Sequence, residues 1–202
     1  MTISRCIIIS LLCALLGGCL AVAPHSLSDA DLHAYRVVDV AVEGVEVIRS
    51  WPSEEDRYLA THAVDPETAN RIRTEPAFAF PELTSHFQQA LDRKFREELT
   101  YLTGPIFSGS RPARIVVRLR VFDIPSVARR VFVDQDTKMQ ADIDLVDKAS
   151  GRLILRYHGN MALRRLFGGV WTGVAVAFER SDHGTTMITD YLSGYRNWLL
   201  RN

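Results

Sequence analysis

Cysteine is absent from most of this chain. The 202 residues include three cysteines, and all of them, Cys6, Cys13 and Cys19, lie within the first 19 positions. A domain built from the remaining residues therefore has no disulfide and must be stabilised by its hydrophobic core. The same distribution excludes a cysteine nucleophile and a thiolate metal site from that domain.

An excess of charge of either sign is also missing. Lysine and arginine together number 24, as do aspartate and glutamate, so the formal net charge is zero. Domains that bind nucleic acid carry a clear excess of basic residues. The balance therefore predicts that nucleic acid is not a partner.

Catalytic and cofactor-binding motifs are not found either. Ser108 and Ser110 lack the flanking glycines of a nucleophile elbow, and no Lys-Ser/Thr follows Gly168-Gly169 or Gly173 as a phosphate loop requires. The six histidines show no spacing typical of metal ligands: His25, His33, His62, His86, His158 and His183. The sequence thus predicts no cofactor, metal ligand or catalytic residue and favours a protein that is not an enzyme.

The N-terminus has the pattern of an export signal. Arg5 precedes a mostly apolar run from Cys6 to Leu16. This run has the length of a signal-peptide hydrophobic region and is shorter than the about 20 residues that span a bilayer. One possibility is ordinary cleavage at Ala21-Val22-Ala23, although Pro24 would then follow the scissile bond, where proline is unsuitable.

The other possibility starts from Leu16-Gly17-Gly18-Cys19. This tetrapeptide resembles the lipobox of bacterial lipoproteins. The resemblance implies that Cys19 receives a diacylglyceryl group, that the signal peptide 1–18 is removed, and that the new amino group is acylated, typically with palmitate. Leu20 stands where aspartate would retain such a protein at the inner membrane, which implies the outer membrane, facing the periplasm.

The chain after the signal is long enough for one domain. We predict a tether over residues 19–34 and a single domain over 35–202. A Val-rich strand at 36–48 is interrupted by Gly44, Asp65 precedes a short helix at 66–73, and an apolar stripe marks a helix at 81–102. A final helix begins at Ser181 or Asp182.

Two segments between these helices alternate with period two. Residues 114–124 and 137–147 can pair antiparallel with Val117 opposite Leu145, and a third strand then covers 152–161. In this register Arg118 faces Asp144 and Arg120 faces Asp142, while Arg156 can reach Asp142. The order β-α-β-β-β-α predicts an α+β fold with a mostly antiparallel sheet of about four strands and two main helices on one face.

Asp142 and Asp144 allow two interpretations. Alternate residues of a strand lie about 7 Å apart on one face, a spacing that a catalytic or cation-binding carboxylate pair could use. The alternative, which we favour, is a solvated ladder with the arginines, in which an exposed pair contributes about 0–1 kcal/mol.

The segment from Leu166 to Phe178 carries no charge and is too short to span a bilayer. It is either a buried connector or last strand under the C-terminal helix, or an exposed loop that contacts a membrane, a partner protein or a lipid. Exposed apolar patches of this size mark interaction sites. The candidate interaction surface consists of Leu166, Phe167, Val170, Trp171 and Phe178.

In size, tether and order of elements, the chain is similar to small α+β lipoproteins of Gram-negative bacteria. That resemblance implies an auxiliary role in ABC-type transport or envelope assembly. We therefore expect a non-enzymatic module, anchored to the membrane by lipid, that binds an envelope protein or another envelope component. Two alternatives stay open, namely an envelope hydrolase that uses Asp142 and Asp144, and a periplasmic lipid carrier.

Overall fold

The computed structural model describes residues 22–126, 129, 136–164 and 182–200. Within these ranges the helices are α1 (Asp29–His33), α2 (Pro52–Thr61), α3 (Pro66–Thr74), α4 (Pro81–Thr103) and α5 (His183–Leu199). The strands are β1 (Tyr35–Glu43), β2 (Ile48–Ser50), β3 (Arg111–Asp123), β4 (Thr137–Asp147), β5 (Leu153–His158) and β6 (Ala162–Arg164). Two 3-10 turns occupy Val45–Val47 and Ala77–Ala79.

These six strands form one mixed sheet. β1, β3, β4 and β5 are neighbours in that order, β2 pairs with the end of β3, and β6 pairs with the start of β4. The predicted α+β class is confirmed, but the sheet has six described strands rather than about four. β1 and β2 run parallel to β3, because the chain between β1 and β3 returns through α4 to the end where β1 began.

Both long helices pack on one face of this sheet. The apolar stripes predicted for them are buried: Leu83, Phe87, Leu91, Phe95 and Leu99 in α4, and Met187, Ile188, Tyr191, Leu192, Tyr195 and Leu199 in α5. Each such side chain contributes about 1.5–3 kcal/mol when fully buried. Lys94 lies 3.5 Å from Asp182, and Thr189 donates to Glu98 at 3.0 Å, so α4 and α5 run in the same direction.

Side chains of α4 cover the outer edge of β1. Gln88 Nε2 donates to the Val42 carbonyl at 3.0 Å, and Asp92 Oδ1 accepts from the Val42 N–H at 3.2 Å. One turn later, Arg96 Nη2 donates to the Val40 carbonyl at 3.1 Å. These bonds satisfy backbone groups that an edge strand otherwise leaves open to a second chain.

The register of β3 and β4 differs by two residues from the prediction. Val117 lies opposite Ile143, Leu119 opposite Ala141, and Arg118 opposite Asp142. An irregularity between Leu119 and Val121 then shifts the rest of the pair. Up to Leu119 the two-residue shift keeps each side chain on its predicted face. Beyond the irregularity Val121 lies opposite Gln140 and Phe122 is buried opposite Met139, so the prediction that Val121 is on the apolar face opposite Ala141 is wrong.

Two helices that the sequence patterns did not predict lie within the predicted tether 19–34 and between the first predicted strand and the helix at 66–73. Ser28 caps α1, and Pro52 opens α2. Gly44 ends β1 with a φ of 85°, which agrees with the interruption predicted there. Asp65 caps α3 and Asp182 caps α5, as predicted.

Candidate functional site

Several predicted site residues lie outside the described part of the chain. These are Cys19 and the candidate interaction surface, Leu166, Phe167, Val170, Trp171 and Phe178. The described residues nearest to them are Val22, Arg164 and Asp182. The surroundings of these three residues are therefore the closest structural context for the predicted anchor and contact surface.

The N-terminal residues 22–28, here called the docked segment, lie against the end of α5. Trp198 Nε1 donates to the Ala23 carbonyl at 2.8 Å, and His25 Nε2 donates to the Leu199 carbonyl at 2.9 Å. The His25 ring meets the Trp198 ring edge to face at 4.9 Å. Val22 and Leu27 also pack against the hydrophobic core. The docked segment is thus attached to the domain by polar and apolar contacts.

A groove separates the docked segment from β5. Its volume is about 510 Å³. We call it the β5 groove, and its lining includes Val22, Pro24, Ser26, Ile154, Leu155, Arg156, His158 and Trp198. Its lining therefore combines apolar side chains with Arg156 and His158, whose side chains are partly exposed.

Asp144 lies at the centre of the charged sheet face. It is 1% exposed and accepts from Arg156 through both oxygens, from Nε and from Nη2, each at 2.7 Å. Arg118 Nη1 donates to the same carboxylate, as predicted. Arg156 thus binds Asp144 and not Asp142, which corrects the predicted partner, because the register places Arg156 directly opposite Asp144.

Asp142 has its own pair of partners. Arg120 Nη2 donates to Asp142 Oδ2 at 2.7 Å, in agreement with the predicted pair, and His158 Nδ1 donates to Oδ1 at 3.1 Å. Burial alone would raise the pKa of Asp142 and of Asp144, but the hydrogen bonds from their partners and the charges of the arginines outweigh it and hold both pKa values below the ordinary range. Both groups are therefore ionised at neutral pH, and neither holds a proton for general acid catalysis.

A second polar cluster has no counterpart among the sequence predictions. Tyr58, His62 and His86, here called the histidine cluster, meet where α2 approaches α4. Tyr58 stacks on His62 at 4.1 Å and lies 5.6 Å from His86. His86 Nε2 donates to Glu54 Oε2 at 3.1 Å, and Glu54 is fully buried. The contact between His62 and His86 depends on the packing of two helices, so no local spacing in the sequence could reveal it.

The histidine cluster borders a cleft of about 460 Å³. Its lining includes Tyr58, Val64, Ile72, Phe80 and Glu82. The Tyr58 hydroxyl donates to Glu82 Oε2 at 3.0 Å, and burial together with this carboxylate raises the pKa of Tyr58. The Tyr58 hydroxyl and the Glu82 carboxylate of the cleft thus bind each other. A hydrogen bond between two side chains of this kind is typical of a structural role.

The described residues that flank the uncharged segment, Arg164 and Asp182, lie at one end of the sheet. Arg164 pairs with Thr137 at the start of β4. Asp182 accepts from Ser53 Oγ at 2.8 Å and from Trp51 Nε1 at 3.3 Å. Burial alone would raise the pKa of Asp182, but its hydrogen bonds with Thr185, Ser53 and Trp51 hold it well below the usual range. The chain therefore leaves and re-enters the described structure beside the end of β3.

Among the described residues, no group of three or more His, Cys, Asp or Glu side chains is placed to hold a metal ion. No helix in the described ranges is both long and apolar enough to cross a membrane. In the comparisons with known proteins, no family model, no curated protein and no solved structure matches the chain.

Proposed function

We propose that the chain is a lipid-anchored module of the cell envelope that binds a partner without catalysing a reaction. Its anchor is the lipid on Cys19, and its location is the periplasmic face of the outer membrane. Its partner is an envelope protein that contacts the uncharged segment Leu166–Phe178. An auxiliary role in transport or envelope assembly fits such a module.

The observation that carries the proposal is the pattern Leu16-Gly17-Gly18-Cys19 directly after a signal-like apolar run. The mature chain would keep no other cysteine. Two or three acyl chains on one residue hold a protein on a membrane far more firmly than one chain, since each buried CH₂ contributes about 0.8 kcal/mol. The lipid by itself therefore supplies stable attachment.

The polar clusters support a binding role over a catalytic one. Asp142 and Asp144, the carboxylates that a hydrolase would use, are bound by Arg118, Arg120 and Arg156. Compensated pairs of this kind stabilise strand contacts. No observation in the described residues favours the hydrolase or the lipid carrier over the binding module.

The anchor is tested by comparing wild type with Cys19→Ala in a Gram-negative host. We expect the wild type to fractionate with the outer membrane and to carry the mass of a diacylglyceryl and an acyl group on Cys19. The variant should lose both the added mass and the membrane residence. A soluble, unmodified mature chain that starts near Pro24 would refute the anchor.

The contact surface is tested with Trp171→Asp in the lipidated protein. We expect the variant to keep its near-ultraviolet circular dichroism and to lose the crosslinks that wild type forms to an envelope protein in cells. Trp171→Phe is the matched control, because it keeps an apolar ring and should keep the crosslinks. Unfolding of Trp171→Asp would show instead that the residue belongs to the core.

A further inference from the structure

The docked segment limits how far the domain can lie from its anchor. We propose that the β5 groove lies against the bilayer that holds the lipid and contacts its phospholipid headgroups. This inference rests on the proposed function, because it requires the lipid on Cys19. It adds to that function a defined membrane-facing surface and an orientation of the domain.

The docked segment is attached to the domain along its length. Hydrogen bonds join Ala23 to Trp198 and His25 to Leu199, and Val22 packs against the core. From Val22 onwards the chain thus follows the surface of the domain. The chain between the proposed anchor and Val22 then consists of residues 19–21, which we call the linker.

The linker between Cys19 and Val22 is short. Three residues span at most about 10 Å when fully extended. A tether over residues 19–34 would instead allow about 50 Å. Val22 lines the β5 groove. Val22, which lines the groove, is therefore held within about 10 Å of Cys19, so this side of the groove stays close to the bilayer surface.

The side chains of the β5 groove suit the headgroup region of a bilayer. Ile154, Leu155 and Trp198 give it apolar and aromatic lining, and tryptophan is enriched at the level of the headgroups. The side chains of Arg156 and His158 are 42% and 70% exposed at its rim. Arg156 uses Nε and Nη2 for Asp144, so within the described residues its Nη1 is left to donate to a phosphate.

The opposite side of the sheet provides a reference position. Phe78, in the 3-10 turn Ala77–Ala79, is 58% exposed. This turn packs beside β2, which pairs with β3 on the side of β1. β3 and β4 therefore separate Phe78 from β5. If the groove faces the bilayer, Phe78 faces away from it.

The experiment uses single cysteines at Ser26 and at Phe78 in the full, lipidated protein. The lipid blocks Cys19, so a thiol-reactive fluorophore labels the introduced residue alone. Each labelled protein is placed in vesicles of phosphatidylethanolamine and phosphatidylglycerol that contain a lipid with a nitroxide on its headgroup. Intact mass confirms acylation, and near-ultraviolet circular dichroism confirms folding of both variants.

We expect strong quenching of the label at Ser26→Cys and none at Phe78→Cys. Equal quenching, or quenching at Phe78→Cys alone, in acylated protein would overturn the orientation and leave the lipid anchor intact. Unmodified Cys19 in the mass spectrum would overturn the proposed function and this inference with it. The two failures are therefore distinguishable in one sample.

An insertion variant tests the role of linker length. Inserting about ten Gly and Ser residues between Ala21 and Val22 adds about 30 Å of reach. We expect the docked segment to stay bound to α5 and the quenching at Ser26→Cys to fall towards the level at Phe78→Cys. Unchanged quenching would contradict the conclusion that the short linker imposes the contact. His25→Ala, which removes the bond to Leu199, should cause a smaller loss of quenching in the protein without the insertion.

Discussion

The two edges of the sheet are covered in different ways. At the β1 edge, Gln88, Asp92 and Arg96 of one long helix bind the strand backbone directly. At the β5 edge, the docked segment lies across a groove and is attached mainly to α5. The first edge is closed by a helix that is also part of the core, so it cannot open without unfolding. The second is covered by a segment that can detach while the core remains folded.

This difference predicts where the protein is locally stable. Local opening needs little free energy where a segment buries few apolar side chains and forms few hydrogen bonds. We therefore expect the β5 edge to open first, whereas the β1 edge is protected against pairing with a second chain.

The largest expected effect comes from Trp198→Ala. The indole lies 5.0 Å from the Tyr157 ring and 6.0 Å from the Tyr195 ring, and it also holds the docked segment. We expect a loss of about 2–3 kcal/mol in the free energy of unfolding, less than for a fully buried tryptophan. Urea unfolding measures it. Trp198→Phe should restore most of the stability, and equal losses in both variants would contradict the role of ring packing.

An intermediate effect is expected from Asp144→Asn. The Asp144 carboxylate of the wild type links the interior of the sheet to the β5 edge. Because the guanidinium groups of Arg118 and Arg156 are partly exposed, we expect a loss of about 1–2 kcal/mol at neutral pH, again measured by urea unfolding. Glu46→Gln, an exposed carboxylate of the 3-10 turn Val45–Val47, is the control and should change little.

The same variant should alter the pH dependence of stability. The pKa values of Asp142, Asp144 and Asp182 lie below their ordinary values, so the stability that these groups contribute is present at neutral pH. It is lost as the pH falls below about 4. Glu55, whose pKa burial raises, acts in the opposite direction. The difference in the free energy of unfolding between wild type and Asp144→Asn should therefore shrink in acid. A constant difference from pH 7 to pH 2 would contradict the expected contribution of the Asp144 carboxylate.

The smallest effect is expected at the β1 edge. Asp92→Ala leaves the Val42 N–H without its side-chain acceptor, which should cost about 1 kcal/mol. Hydrogen exchange of Val42 should rise while that of the β5 amides, which belong to the pair with β4, stays unchanged. Glu97→Ala, on an exposed face of the same helix, controls for helix propensity. Faster exchange in β5 as well would show that the two edges are coupled.

The parts of the fold that were predicted correctly have strong local patterns. The buried stripes of α4 and α5 repeat every three or four residues, and Asp65-Pro66 marks the start of α3. The register of β3 and β4 was not determined by pattern, since a shift of two residues preserves alternation. The parallel pairing of β1 with β3 depends on the path of the intervening chain, which local periodicity does not report.

The missed features depend on contacts between distant residues or on polar residues in buried positions. The buried residues of α2 are Glu54, Glu55 and Tyr58, so the helix lacks an apolar stripe. The docked segment has a polar composition typical of a tether. Its attachment depends on Trp198 and Leu199, which lie far along the chain, and nothing near residues 22–28 indicates it.

The docked segment also has a consequence for the order of folding. Ala23 and its partner Trp198 are separated by 175 positions, so the first part of the segment to be synthesised must wait for one of the last. Contacts of such long sequence separation form late, because the chain between them must first become ordered. With the lipid anchor that we propose, a newly exported chain would thus pass through a stage with a long N-terminal linker and an uncovered β5 edge. The linker would then become shorter when α5 packs, so that only a fully folded domain is drawn close to the proposed anchor.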